Sequence, residues 1–213
     1  MTFFKLKAKA KDAKTAEAGP GKSVFFTAAD GLKLHAVEYG HDNRDALPVV
    51  CLAGLSRNAR DFEPLATFLS EKATPKRRVI CFDYRGRGLS AHDPDWKNYN
   101  VITETEDVLA GMTALGIAHA AVIGTSRGGL IAMALSAMRP GALKAVVLND
   151  VGPVIEGDGL AAIRAMLTQL PRPKSWDEAI AIQKTATGKA FPAFTQEDWA
   201  FEAHAKYRQV GRK

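Results

Sequence analysis

Cysteine is scarce in this chain: Cys51 and Cys81 are two among 213 residues. Two thiols cannot staple a disulfide scaffold, and they lack the paired spacing of a zinc site. Both lie in strand-like apolar runs and read as reduced core residues, which fits a reducing compartment, taken here as the cytoplasm. Long apolar stretches are missing too. The longest, about Ala46 to Leu55, is interrupted by Pro48 and Gly54 and falls short of the roughly 18 residues that a membrane span requires. No membrane span is expected. An apolar signal core is absent from the N-terminal segment, and the lack of arginine before Arg44 argues against a mitochondrial transit peptide.

What is present is a globular composition. With 46% hydrophobic and 24% charged residues, the chain holds about one domain with a core able to fold unaided. The net charge of +6 invites a nucleic-acid reading, but its distribution opposes one. Residues 1–22 carry six lysines against Asp12 and Glu17, so most of the excess belongs to this segment and the rest is nearly balanced. The segment ends in Gly19-Pro20-Gly21 and reads as a flexible basic arm. Its lysines have no interleaved aromatics, so no nucleic-acid partner is expected. Nothing in the pattern sets an oligomeric state.

After the arm, strand and helix patterns alternate. Val24–Thr27 and Leu32–Tyr39 read as strands joined by the hairpin pair Asp30-Gly31. Val49–Ala53, Val79–Phe82, Ala120–Ile123 and Ala145–Leu148 are short continuous apolar runs, as in parallel strands covered on both faces. Between them, Phe62, Leu65, Ala66 and Leu69 repeat at helical spacing, with Pro75 closing that segment. Ile102, Val108, Leu109, Met112 and Leu115 form a second stripe, with Thr103 and Glu106 at capping-box spacing. Leu130–Met138 is a third helix, stopped by Pro140-Gly141. From Gly157 onward only helices are expected, with starts at Ser175 and Thr195. The order predicts an α/β fold with a mostly parallel central sheet flanked by helices.

Gly124-Thr125-Ser126-Arg127-Gly128 matches G-x-S-x-G, a sharp strand-to-helix turn that holds its serine at an unfavourable backbone angle. The pentapeptide alone is a weak signal. Its place between an apolar strand and an apolar helix is the context that the motif requires. Ser126 would then be a nucleophile, with Gly124 and Gly128 leaving room for the turn. Acyl transfer also needs preorganised donors for the oxyanion. The backbone N–H of Arg127 is one; the N–H of Leu55, on the loop after Val49–Leu52, is the second. Arg85-Gly86-Arg87-Gly88-Leu89-Ser90-Ala91 fits G-x-G-x-x-A after a strand, but Asp93-Pro94-Asp95 interrupts the helix that a dinucleotide site needs. No metal or organic cofactor is implied.

These segments, together with Leu148-Asn149-Asp150-Val151-Gly152-Pro153, resemble the α/β-hydrolases of the esterase, lactonase and C–C hydrolase group over about residues 23–153. The resemblance implies a small ester, lactone or related carbonyl substrate and an acyl-serine intermediate. It also implies a helical cap over 154–213. Asp150 stands at one of two places where relatives carry the triad acid. The triad histidine should follow on a late loop, yet only His204 follows Ser126, within an expected cap helix, where it reads as an ordinary helix-face residue. The simplest expectation is an incomplete hydrolase lacking its last two strands, inactive by itself. The alternative is a hydrolase-like remnant or binding module without catalysis. Arg57, Arg60 and Arg127 read either as cations that attract a carboxylate-bearing substrate or, more simply, as solvated surface residues. Trp96, Trp176, Phe191, Phe194 and Trp199 read either as an acyl pocket or as helix packing.

Overall fold

Where the chain reads as uninterrupted apolar residues, it forms strands covered on both faces. The computed structural model describes residues 2–5, 20–154, 157–168 and 171–210. In chain order the strands are β1 (Thr2–Lys5), β2 (Lys22–Thr27), β3 (Lys33–Tyr39), β4 (Val49–Leu52), β5 (Val79–Asp83), β6 (Ala120–Thr125), β7 (Leu143–Asn149) and β8 (Tyr207–Val210). The helices are α1 (Glu63–Glu71), α2 (Val101–Ala114), α3 (Arg127–Met138), α4 (Gly157–Thr168), α5 (Trp176–Thr187) and α6 (Gln196–Lys206).

Residues 20–154 form one compact unit built on a sheet ordered β2-β3-β5-β4-β6-β7. The β2–β3 and β3–β5 pairs are antiparallel; the others are parallel. Every residue of β4 and β5 is buried. Alternation divides them between two cores. Val50, Leu52, Ile80 and Phe82 join Val108 and Met112 of α2 and Ile131 and Leu135 of α3. Val49, Cys51, Val79 and Cys81 join Ala66 of α1 and Phe62 before it. Cys51 and Cys81 are register partners and free, buried thiols. This is the α/β architecture that the alternating pattern implies.

Thr2–Lys5 with the described part of 157–210 forms a second compact unit. Its helices α5 and α6 pack around Ala179, Ala203 and Tyr207. Two expectations are corrected here. A strand does return after Gly157, because β8 pairs with β1 in parallel. For the same reason Thr2–Lys5 is not part of a free arm; Lys22 already belongs to β2, and 6–19 lie outside the described residues. Capping also departs from the pattern at α2. There Asn100, not Thr103, is the cap and accepts from the Thr103 N–H at 3.0 Å. At α6 Thr195 and Asp198 make the reciprocal box. Among the described residues no helix is long and apolar enough to cross a membrane.

Candidate active site

The end of β6 and the start of α3 meet at one residue. Ser126 has φ +51° and ψ −111°, a region that L side chains rarely occupy and that costs on the order of 1–3 kcal/mol. Its surroundings hold it there. The Ser126 N–H donates to the Asn149 carbonyl at 2.8 Å, and its own carbonyl accepts from Gly129 at 2.8 Å. The two flanking glycines are required by contact. A Cβ on Gly124 would lie 2.5 Å from the Gly128 oxygen, and one on Gly128 would lie 2.0 Å from the Leu52 oxygen. Helix α3 can therefore approach the sheet closely enough to force the bend.

The loop after β4 runs beside this bend. A Cβ placed on Gly54 would be 3.8 Å from the Ser126 Cβ and 3.7 Å from the Arg57 Cγ, so the loop, Arg57 and Ser126 converge on one small volume. Among the described residues, the amides of Leu55 and Arg127 donate no hydrogen bond, and the Ser126 hydroxyl makes none. Two donors and one hydroxyl are thus left unengaged at the carboxyl end of central parallel strands, where open α/β sheets bind ligands. Asp150 follows β7 directly, at φ +56°. It is exposed, one residue past the Asn149 carbonyl that holds Ser126.

No described histidine bonds Ser126. His204 stacks on Trp176 with ring centroids 3.8 Å apart, within the second unit. His41 bonds Glu38 and Arg44. His35 completes a different series. Its Nδ1 is hydrogen-bonded to Asp83 Oδ2 at 2.7 Å and its Nε2 to the Ser23 hydroxyl at 2.7 Å. The order Ser–His–Asp is that of a catalytic relay, but Ser23 lies on the ordinary edge strand β2. Asp83 has other work: it also accepts from the backbone of Ala59 at 2.7 Å and of Leu89 at 3.0 Å. A Cβ on Gly88 would strike it at 1.8 Å. Asp83 therefore ties together the loops after β4 and β5, and no helix follows β5 before the short 3-10 turn Trp96–Asn98.

The cations around the bend are mostly matched. Arg57 pairs with Asp61 at 2.5 Å, Arg60 with Glu63 at 4.0 Å and Arg127 with Glu104 at 2.7 Å. Burial pushes the Glu104 carboxyl up, against the opposing pull of Arg127. Arg85 is enclosed by Asp107, in a two-pronged contact at 2.8 Å, and by Asp30 and Asp93. Sequence reading missed both the Arg85 cluster and Asp83, because such partners are brought together only by the fold. The aromatic side chains after Pro153 pack mutually: Phe191 stacks on Phe194, which contacts Trp199. Trp96 is 77% exposed. No metal-ligand cluster occurs among the described residues.

A family model described as the alpha/beta hydrolase fold matches residues 48–191. The chain is similar to a 3-hydroxybutyrate-oligomer hydrolase of Cupriavidus necator, 33% identical over 168 residues, covering 78% of this chain and 56% of that protein. It is 32% identical to a 2-(acetamidomethylene)succinate hydrolase of Mesorhizobium japonicum over 112 residues, 53% of this chain and 38% of that one. The crystal structure of an alpha/beta hydrolase from Novosphingobium aromaticivorans superposes with a TM-score of 0.80 at 37% identity, over 88% of this chain and 64% of that one. The chain therefore spans under two thirds of the length of each of these relatives.

Proposed function

This chain belongs to the alpha/beta hydrolase fold family, and from that premise we propose that it is a serine hydrolase of small esters, lactones or related carbonyl compounds, with Ser126 as nucleophile. The observation that carries the reading is the Ser126 backbone, held at φ +51° between β6 and α3 with its hydroxyl unengaged. The hydroxyl oxygen attacks the substrate carbonyl carbon, forming the acyl–oxygen bond as its proton passes to a base. The Leu55 and Arg127 amides receive the oxyanion. Collapse expels the alcohol, which regains a proton, and water then cleaves the acyl-serine. Asp150 orients the base, which comes from outside the described residues. Without that base the rate falls on the order of 10² to 10⁴. The hydrolase activities in the relatives' names support carbonyl hydrolysis, and the two buried free thiols support a reducing, cytoplasmic setting.

A fluorophosphonate probe tests the assignment on the intact chain. Peptide mass spectrometry is expected to place the label on Ser126, with labelling abolished in Ser126→Ala and retained in Ser23→Ala. Labelling at Ser23 instead overturns Ser126 as the nucleophile, and a folded chain that stays unlabelled supports the second reading, a hydrolase-like binding module. That reading is favoured by the lack of a described histidine bonded to Ser126.

A further inference from the structure

Among the described residues, the Arg87 guanidinium has no counterion. Arg87 lies on the turn after β5, half-buried. Its backbone is engaged, the N–H with Tyr84 and the carbonyl with Ser90, each at 2.9 Å. Its side chain makes no hydrogen bond or ion pair to any described residue. Burial drives its pKa below the usual arginine range; Glu104 opposes that shift and Arg127 adds to it. The turn also lies beside Arg127: a Cβ on Gly86 would be 2.9 Å from the Tyr99 ring, and the Tyr99 carbonyl accepts from Arg127 Nη2 at 3.4 Å. The carboxylate nearest this pair, Glu104, is already bonded to Arg127 at 2.7 Å. This leaves the positive charge of Arg87 without a carboxylate partner among the described residues, while its neighbour Arg127 directly follows Ser126 in the chain.

The turn that bears Arg87 is rigid. Gly86 and Gly88 both have positive φ, and Gly88 sits against the Asp83 carboxylate, which accepts from the Leu89 N–H at 3.0 Å. A partly desolvated cation on a fixed turn costs free energy unless an anion completes it. A planar guanidinium with free N–H groups matches a carboxylate in two-pronged geometry. One surplus charge matches a monoanion better than a phosphate dianion.

We propose that Arg87, with Arg127 beside it, forms a carboxylate-binding subsite next to Ser126 that selects substrates carrying an acid group in addition to the bond cleaved. The subsite rests on the serine hydrolase reading for its catalytic meaning, but not for its binding. It differs from the sequence expectation, in which Arg57, Arg60 and Arg127 were the candidate cations. Those three have carboxylate partners, and the unmatched cation is another residue.

The test is calorimetric titration of the intact chain at low ionic strength with monomethyl adipate, dimethyl adipate and inorganic phosphate. The half-ester should bind at least roughly tenfold more tightly than the diester. Arg87→Gln should weaken the half-ester by roughly ten- to a hundredfold, the range of a hydrogen bond to a charged group, and leave the diester unchanged. Arg87→Lys should restore part of the loss. Since the Arg87 side chain bonds no described residue, circular dichroism should show both variants folded. Equal binding of half-ester and diester, no binding of either, or indifference to Arg87→Gln overturns the proposal. So does phosphate binding as tight as the half-ester's. Fluorophosphonate labelling of Ser126 without charge discrimination leaves the hydrolase and removes the subsite. Arg87-dependent half-ester binding without labelling does the reverse.

Discussion

Glycine is needed at Gly128 and merely permitted at Gly54, and the difference is measurable. A Cβ at Gly128 would penetrate the Leu52 carbonyl at 2.0 Å, and neither backbone can yield without shifting α3 or β4. Gly128→Ala should cost about 3 kcal/mol, the upper range for overpacking. At Gly54 the nearest atoms are 3.7 Å away, so Gly54→Ala should change stability by less than about 1 kcal/mol. Its methyl would instead face the Ser126 Cβ at 3.8 Å and slow labelling of the serine. Urea unfolding of both variants checks this; equal costs would remove the close-approach account. At this scale the sequence was informative where chemistry is local. The Ser126 turn is written in five consecutive residues. Arg85 and Asp83 were unreadable because their significance depends on partners such as His35, 48 positions from Asp83, and Asp30, 55 positions from Arg85.

Elements were legible by their apolar runs, and the exception is instructive. Ala145–Leu148 reads much like Val79–Phe82, yet β5 is wholly buried while Val146, Val147 and Leu148 are 42%, 55% and 39% exposed. The run predicts a strand, and a strand is present; what it cannot encode is whether neighbours cover it. Strand β7 pairs with β6 alone among the described strands, leaving an apolar edge that favours pairing with other chains. Light scattering should show association that grows with protein concentration and is reduced in Val147→Lys, a charge placed on the exposed edge. Unchanged scattering in that variant would show that β7 is not the sticky element. Caps were harder to read than strands. Thr103 and Glu106 have capping-box spacing, but Asn100 offered an acceptor one turn earlier and took the Thr103 N–H. Strand β8 was missed because its partner among the described strands, β1, lies some two hundred residues away in sequence.

For the molecule as a whole, acid sensitivity follows from how its buried carboxylates are matched. Glu38 has a side chain only 2% exposed, bonded by Arg78 at 2.7 Å and His41 at 2.9 Å. Burial alone would raise its pKa, but the hydrogen bonds from His41 and Arg78 outweigh it and bring the carboxyl below its ordinary value of 4.5. The unfolded chain therefore takes up this proton first as pH falls. The stabilisation is present above about 4.5 and is lost as pH drops through the lower folded value. Asp61 has the opposite sign. Burial raises it despite Arg57, and its Oδ1 is buried without a partner. Its contribution is present below the ordinary aspartate range and lost as pH rises through its folded value. Urea midpoints measured from about pH 3 to pH 7 separate the two by linkage. Glu38→Gln should lower stability at neutral pH by about 3 kcal/mol, the cost of leaving Arg78 as an unpaired buried charge. It should also flatten the acid limb. Asp61→Asn should alter the slope at higher pH and leave that limb intact. Parallel curves for Glu38→Gln and the parent chain would place the acid-sensitive group elsewhere.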